Sequence, residues 1–183
     1  GSSARRAVAL DPFDPLAHYA LSCGTRIFGD VETGIAALED AIELSPNFSS
    51  ALADLSYIQA YLGNTGDAKA NINQALALNP RNPSPARMYT TQIIIGIIDG
   101  DLEHAASWAD KGCKLETKTI ILIVSALTAY HLAGLTDRAK EAARIARTML
   151  PGGSLAKLRQ ANFKMEDTFL RAVIDAHHAY NLQ

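Results

Sequence analysis

Three prolines, Pro12, Pro46 and Pro80, stand 34 residues apart, and the interval is not confined to them. Ala7, Ala41 and Ala75 each lie five residues earlier, Gly29 and Gly63 repeat at the same distance, and so do Gly100 and Gly134. From Pro80 to Pro151 is 71 residues, two intervals plus three, and the surplus falls in the proline-rich stretch "NPRNPSP" (79–85), where a longer loop is natural. A chain that repeats itself at this interval has few folds open to it. It stacks copies of one unit, each burying the face its neighbour leaves bare.

Within a unit the residues read as helix A, a turn at the glycine, helix B, and a stop at the proline. Gly34, Ala68, Ala105 and Ala139 sit five residues past each turn glycine, where two helices of a hairpin approach most closely. Leu38 and Ile72 follow one helical turn later on the same face and fill the groove. The closing proline cannot continue a helix and pushes the residue before it out of helical conformation. Asp30, Asp67 and Asp101 are expected to cap the B helices and complement their dipoles. Two stretches, "TTQIIIGII" (90–98) and "TIILIVSALTAY" (119–130), are rich in β-branched residues that favour strands. The period overrides that preference, and both are expected as buried A helices.

The pattern resembles the tetratricopeptide (TPR) repeat, and the resemblance covers residues 4–153. It implies an all-α, right-handed superhelical solenoid: a partial helix over 4–12, repeats over 15–48, 49–82, 86–119 and 120–153, and C-terminal capping helices over 154–183. The TPR array is thus expected over 1–153. The early aromatic of helix A is replaced by His18, Leu52, Tyr89 and Ile123, and the small mid-helix residue becomes Ile93 and Leu127 in the last two repeats. The tail has lost the period: "SLAKLRQ" (154–160) reads as a short helix and "MEDTFLRAVIDAHHAYNL" (165–182) as an amphipathic one. Residues 4–12 match the end of an earlier helix B, so the chain is expected to begin inside a repeat of a longer protein, with Gly1-Ser2 a cloning remnant. "ALNPRNPSP", "GDLEHAASWADKGCKL" and "AGLTDRAKEAARIARTMLPGGSLAKLRQ" are similar to the TPR tails of bacterial signalling proteins. In that family the tail follows a class III adenylate cyclase or a winged-helix DNA-binding domain.

No motif proposes an enzyme, a cofactor or a metal. Ser154-x-x-Lys157 has the spacing of an acyl-transfer pair, but Ser154 follows Pro-Gly-Gly and opens a helix, the ordinary place for a cap. "DGDLE" (99–103) resembles the start of a calcium loop whose remaining ligand positions fall on "HAASWAD". His177 and His178 are adjacent and diverge by about 100° on a helix, which suits a solvated pair better than a metal site. Phosphate loops and nucleophile elbows are absent from the sequence.

A binding surface is the stronger expectation. In a TPR stack the A helices line a concave channel, and the resemblance places Tyr19, Cys23, Arg26, Tyr57, Tyr61, Ile94, Ile97, Thr128 and His131 on it. Several tyrosines and an arginine suit a peptide or a helix, whereas the tail helix or neighbouring side chains are the alternative occupants. The clamp by which chaperone-binding TPR domains hold a C-terminal carboxylate would fall on Leu16, Ala20, Ser50, Asp54, Arg87 and Thr91. One cation in six positions is no clamp.

Charge separates the ends. Asp30, Glu32, Glu39, Asp40 and Glu43 have no cation among them, whereas residues 134–165 hold seven cations against Asp137 and Glu141. This asymmetry suits either a steered partner and head-to-tail homo-oligomers or two solvated faces. A net charge of -2 and an interval of 34 argue against nucleic acid and an anionic membrane. Two distant cysteines, Cys23 and Cys113, and no secretory signal point to a reducing cytoplasm. The expected function is a non-enzymatic protein-interaction scaffold in a larger bacterial signalling protein. Intramolecular regulation of an attached enzyme such as a cyclase, or homo-oligomerisation, are the alternatives.

Overall fold

The computed structural model of the chain describes residues 2–27, 30–82, 85–149 and 165–182; for Ser2, Arg26 and Ile27 the backbone alone is described. Among these residues there are ten helices and no strand. They are α1 (Ser2–Leu10), α2 (Pro15–Ile27), α3 (Val31–Leu44), α4 (Ser49–Tyr61), α5 (Thr65–Leu78), α6 (Ala86–Ile98), α7 (Leu102–Cys113), α8 (Ile120–Leu132), α9 (Thr136–Met149) and α10 (Asp167–Ala179). The expected short helix "SLAKLRQ", the Ser154–Lys157 pair and the last residues of the fourth repeat lie outside the described residues.

Four hairpins, α2–α3, α4–α5, α6–α7 and α8–α9, stack in order, and the A helices α4, α6 and α8 also pack side by side. The last three hairpins are closed by chemistry the sequence announces, while Gly29, the expected turn glycine of the first, lies outside the described residues. Gly63, Gly100 and Gly134 take φ of 86°, 76° and 69°, the left-handed region that side chains resist. The four small residues past the turns are buried, and Leu38 and Ile72 behind them are 0% exposed. Asp30 and Asp101 cap α3 and α7, accepting from the backbone N–H of Thr33 at 3.2 Å and of His104 at 3.0 Å. Asp67 departs from this: it lies inside the first turn of α5, behind Asn64 at the cap position, so it complements the dipole without capping.

The helices α6 and α8 show why the strand-like stretches are helical. Ile93, Ile94, Ile95, Leu122, Ile123 and Leu127 are all 0% exposed, so these helices are apolar all round. Each β-branched residue costs a helix a few tenths of a kcal/mol, whereas burying an isoleucine contributes about 1.5–3 kcal/mol. Burial wins. The buried threonine hydroxyls bond within their own helices: Thr90 donates to the carbonyl of Ala86 at 2.8 Å and Thr128 to that of Val124 at 2.9 Å. The helices of the third hairpin approach so closely that a Cβ on Gly96 would lie 2.9 Å from the Ala105 nitrogen and the Asp101 carbonyl oxygen.

The core is in two parts. A small cluster, centred on Leu38, Leu55 and Ile58, joins α3 to α4. A larger one runs from α4 through α9 and includes the tail helix α10, which packs on α8 and α6.

Candidate functional site

The A helices α4, α6 and α8 form a groove, and α10 lies in it. Its buried face is Phe169, Ala172, Val173, Ala176 and His177, the i, i+3, i+4, i+7, i+8 stripe of an amphipathic helix. The Phe169 ring meets the edge of Tyr61 with centroids 5.6 Å apart. The backbone N–H of Glu166 donates to the Tyr61 carbonyl at 2.7 Å, satisfying one of the acceptors left at the end of α4. The Glu166 carboxylate accepts from the N–H of Phe169 at 2.9 Å and caps α10, while Gly63 leaves room for its side chain: a Cβ there would lie 2.8 Å from Glu166 Cγ. At the other end His131 Nε2 lies 3.0 Å from Asp175 Oδ2, its ring meets Tyr180 edge-on, and Arg147 donates to the Tyr180 carbonyl.

The nine residues expected on the concave face divide into two groups along this helix. Tyr61, Ile94, Ile97 and Thr128 are buried, in the half of the stack that α10 joins. His131 is half-buried and touches α10 directly. Tyr19, Cys23 and Tyr57 are half-buried and lie toward the amino-terminal half; of Arg26 only its place in α2 is described. His177, expected as one of a solvated pair, is buried at 0% exposure and donates from Nδ1 to the Val173 carbonyl at 2.8 Å. Burial pushes its imidazole below the ordinary histidine range. His178 is exposed.

Beyond Tyr61 a row of contacts continues toward α2. The Tyr61 and Tyr57 rings meet edge-on at 4.8 Å, and the Arg87 guanidinium lies over Tyr57 at 5.3 Å. Arg87 also pairs with Asp54 at 2.9 Å, and the Tyr19 hydroxyl donates to the same carboxylate at 3.4 Å. The Asp54 side chain is 7% exposed, so the pair holds an anion that burial would otherwise penalise heavily. A cavity of about 270 Å3 opens here, lined by Tyr19, Ser50, Asp54, Asn82, Arg87 and Met88 among others. The counts that ruled out a carboxylate clamp contained Asp54 and Arg87, yet their pairing was invisible. They lie 33 residues apart, one step short of the repeat interval.

A second cavity, about 550 Å3, lies between α7 and the α8–α9 turn. Two of its charged groups pair: Arg138 holds Asp110 at 2.9 Å, and the Tyr130 hydroxyl donates to Asp110 at 2.9 Å. Burial raises both Tyr130 and the neighbouring Cys113 above their ordinary ranges, so neither is poised as a nucleophile at neutral pH. Among the described residues no group of three or more His, Cys, Asp or Glu side chains is arranged to hold a metal, and no helix is long and apolar enough to cross a membrane.

Residues 49–82, the helices α4 and α5 with their flanks, match the family model of the tetratricopeptide repeat. The fold is that of a TPR solenoid. The crystal structure of PilW, a widely conserved type IV pilus biogenesis factor, is similar with a TM-score of 0.72 and 13% identity, over 100% of this chain and 85% of that one. PilF of Pseudomonas aeruginosa is similar with a TM-score of 0.68 and 14% identity, over 98% of this chain and 82% of that one. At such identities the likeness is one of fold. No curated protein matches the sequence. TPR folds generally bind protein partners, and the α10 helix adds a feature that the 34-residue interval does not contain.

Proposed function

We propose that this chain is a non-enzymatic protein-interaction module whose concave face, lined by the A helices, receives a peptide or helix. The observation that carries the reading is the row from Phe169 through Tyr61 and Tyr57 to Arg87: aromatic faces beside a half-exposed guanidinium, the composition of an interface anchor. The setting is the TPR region of a larger bacterial signalling protein in the cytoplasm, supported by the phrases in the third and fourth repeats. Its partner is protein and not nucleic acid, because among the described residues no basic stripe faces the groove: Arg87 is neutralised by Asp54 there.

The test is quantitative partner capture from cells that contain the parent protein. Tyr57→Ala combined with Arg87→Gln removes the aromatic–cation contact while leaving the buried Asp54 a neutral hydrogen-bond partner. Capture is expected to fall at least tenfold with the helical signal retained. Capture that is unchanged by the double substitution would move the binding surface off this face.

A further inference from the structure

The groove is not merely lined; a helix is seated in it. From this we infer that the surface formed by α4, α6 and α8 is a receptor for an amphipathic helix, and that α10 is an exchangeable occupant holding the place of a partner helix of the same pattern. The inference rests on the reading of the concave face as a protein-binding surface. It goes further by naming what that surface takes: an aromatic anchor, a small and a β-branched residue three and four positions on, a carboxylate six on and a small residue seven on. In α10 these are Phe169, Ala172, Val173, Asp175 and Ala176.

Four features make α10 an occupant that can leave. It lies outside the 34-residue repeat, so the hairpins do not need it to complete their own pairing. Two of its five buried residues are alanines, which leaves Phe169, Val173 and His177 as the bulky groups on that face. Its polar fastenings lie at the rim: Asp175, facing His131, has a side chain 72% exposed, and contacts of this kind are weak and screened by salt. Finally, the row of groove residues does not stop where α10 begins. It continues through Tyr57 and Arg87 to the 270 Å3 cavity, so the aromatic and charged surface extends beyond the stretch that α10 covers. A ligand competing with an internal occupant binds with an affinity reduced by the fraction of time the groove is empty.

The probe is a labelled synthetic peptide of residues 165–182, titrated against the full chain by fluorescence anisotropy. The native chain is expected to bind it weakly. A chain carrying Phe169→Ala, whose own helix has lost its anchor, is expected to bind the native peptide at least tenfold more tightly. The same peptide with F169A is expected to lose binding, and one with R171A, altered on the exposed face, to keep it. Should F169A lower the helical circular dichroism of the chain, Phe169→Leu carries the same comparison. The inference is overturned if peptide affinity is equal for native and variant chains, if neither binds it while hydrogen exchange shows α10 released, or if the F169A peptide binds as well as the native one. Dimerisation of the native chain that the peptide reverses would assign the groove to a second copy and also overturn it. Peptide binding as expected, with no cellular partner lost on altering Tyr57 and Arg87, would leave the receptor standing and remove the broader reading of the row.

Discussion

Two glycines in otherwise ordinary helical surroundings carry opposite consequences. Gly96 in α6 has backbone of the next helix within 2.9 Å of where a Cβ would stand, and backbone cannot step aside. Gly66 in α5 has no such atom within 4 Å. Gly96→Ala is therefore expected to destabilise the fold by about 1–3 kcal/mol through overpacking, and Gly66→Ala to stabilise it by roughly 0.5–1 kcal/mol by restricting the unfolded chain. For a domain of this size each kcal/mol shifts Tm by about 2–4 °C, so a melt on both variants should show shifts of opposite sign. Equal shifts would mean that α6 and α7 have slack between them. The sequence marks Ala105, on the far side of that contact, through its place in the interval; Gly96 is its partner and carries no such mark. It sits in a run of isoleucines that gives no sign which of its residues meets another helix.

At the level of helices, the hairpins were legible and the tail was only half so. The interval locates turn glycines, spacing alanines and closing prolines because these are set by local geometry that every copy must repeat. The α10 stripe is equally visible as a pattern, but nothing in a single non-repeating segment says which groove it enters or that His177 ends inside. The burial of His177 makes the seat of α10 sensitive to acid. Its folded value is depressed below the ordinary 6.5, so the unfolded or undocked form takes up a proton first. The stability this group contributes is fully present above about pH 6.5 and is lost as pH falls from there toward the depressed value. His178 on the same helix adds to the depression, and Asp175, two residues before His177, faces His131 of α8. Amide exchange in α10, corrected for intrinsic rates, is expected to accelerate severalfold between pH 7 and 5.5. His177→Leu should flatten that dependence, and a persisting slope would show that His177 does not set it.

Across the whole chain, stability is expected to be uneven in a way set by the two cores. In stacked repeats each unit is held by its neighbours, and α1–α3 reach the rest chiefly through the small cluster around Leu38, Leu55 and Ile58. The helices α6 and α8 lie in the large one and are buried over most of their length. Native-state hydrogen exchange should therefore find the least protection in α1–α3 and the most in α6 and α8, with opening free energies differing by a few kcal/mol. Uniform protection along the chain would show that the two clusters unfold as one. The same arrangement has a mechanical reading. A superhelix of hairpins is a spring, and its pitch is set by the small rotations between neighbouring A helices. A rod fixed at the Tyr61 carbonyl at one end and at His131 at the other spans two of those rotations at once. With the rod in place the spring is braced at one curvature; with it gone, the carboxy-terminal turns can stretch or tighten around whatever they hold.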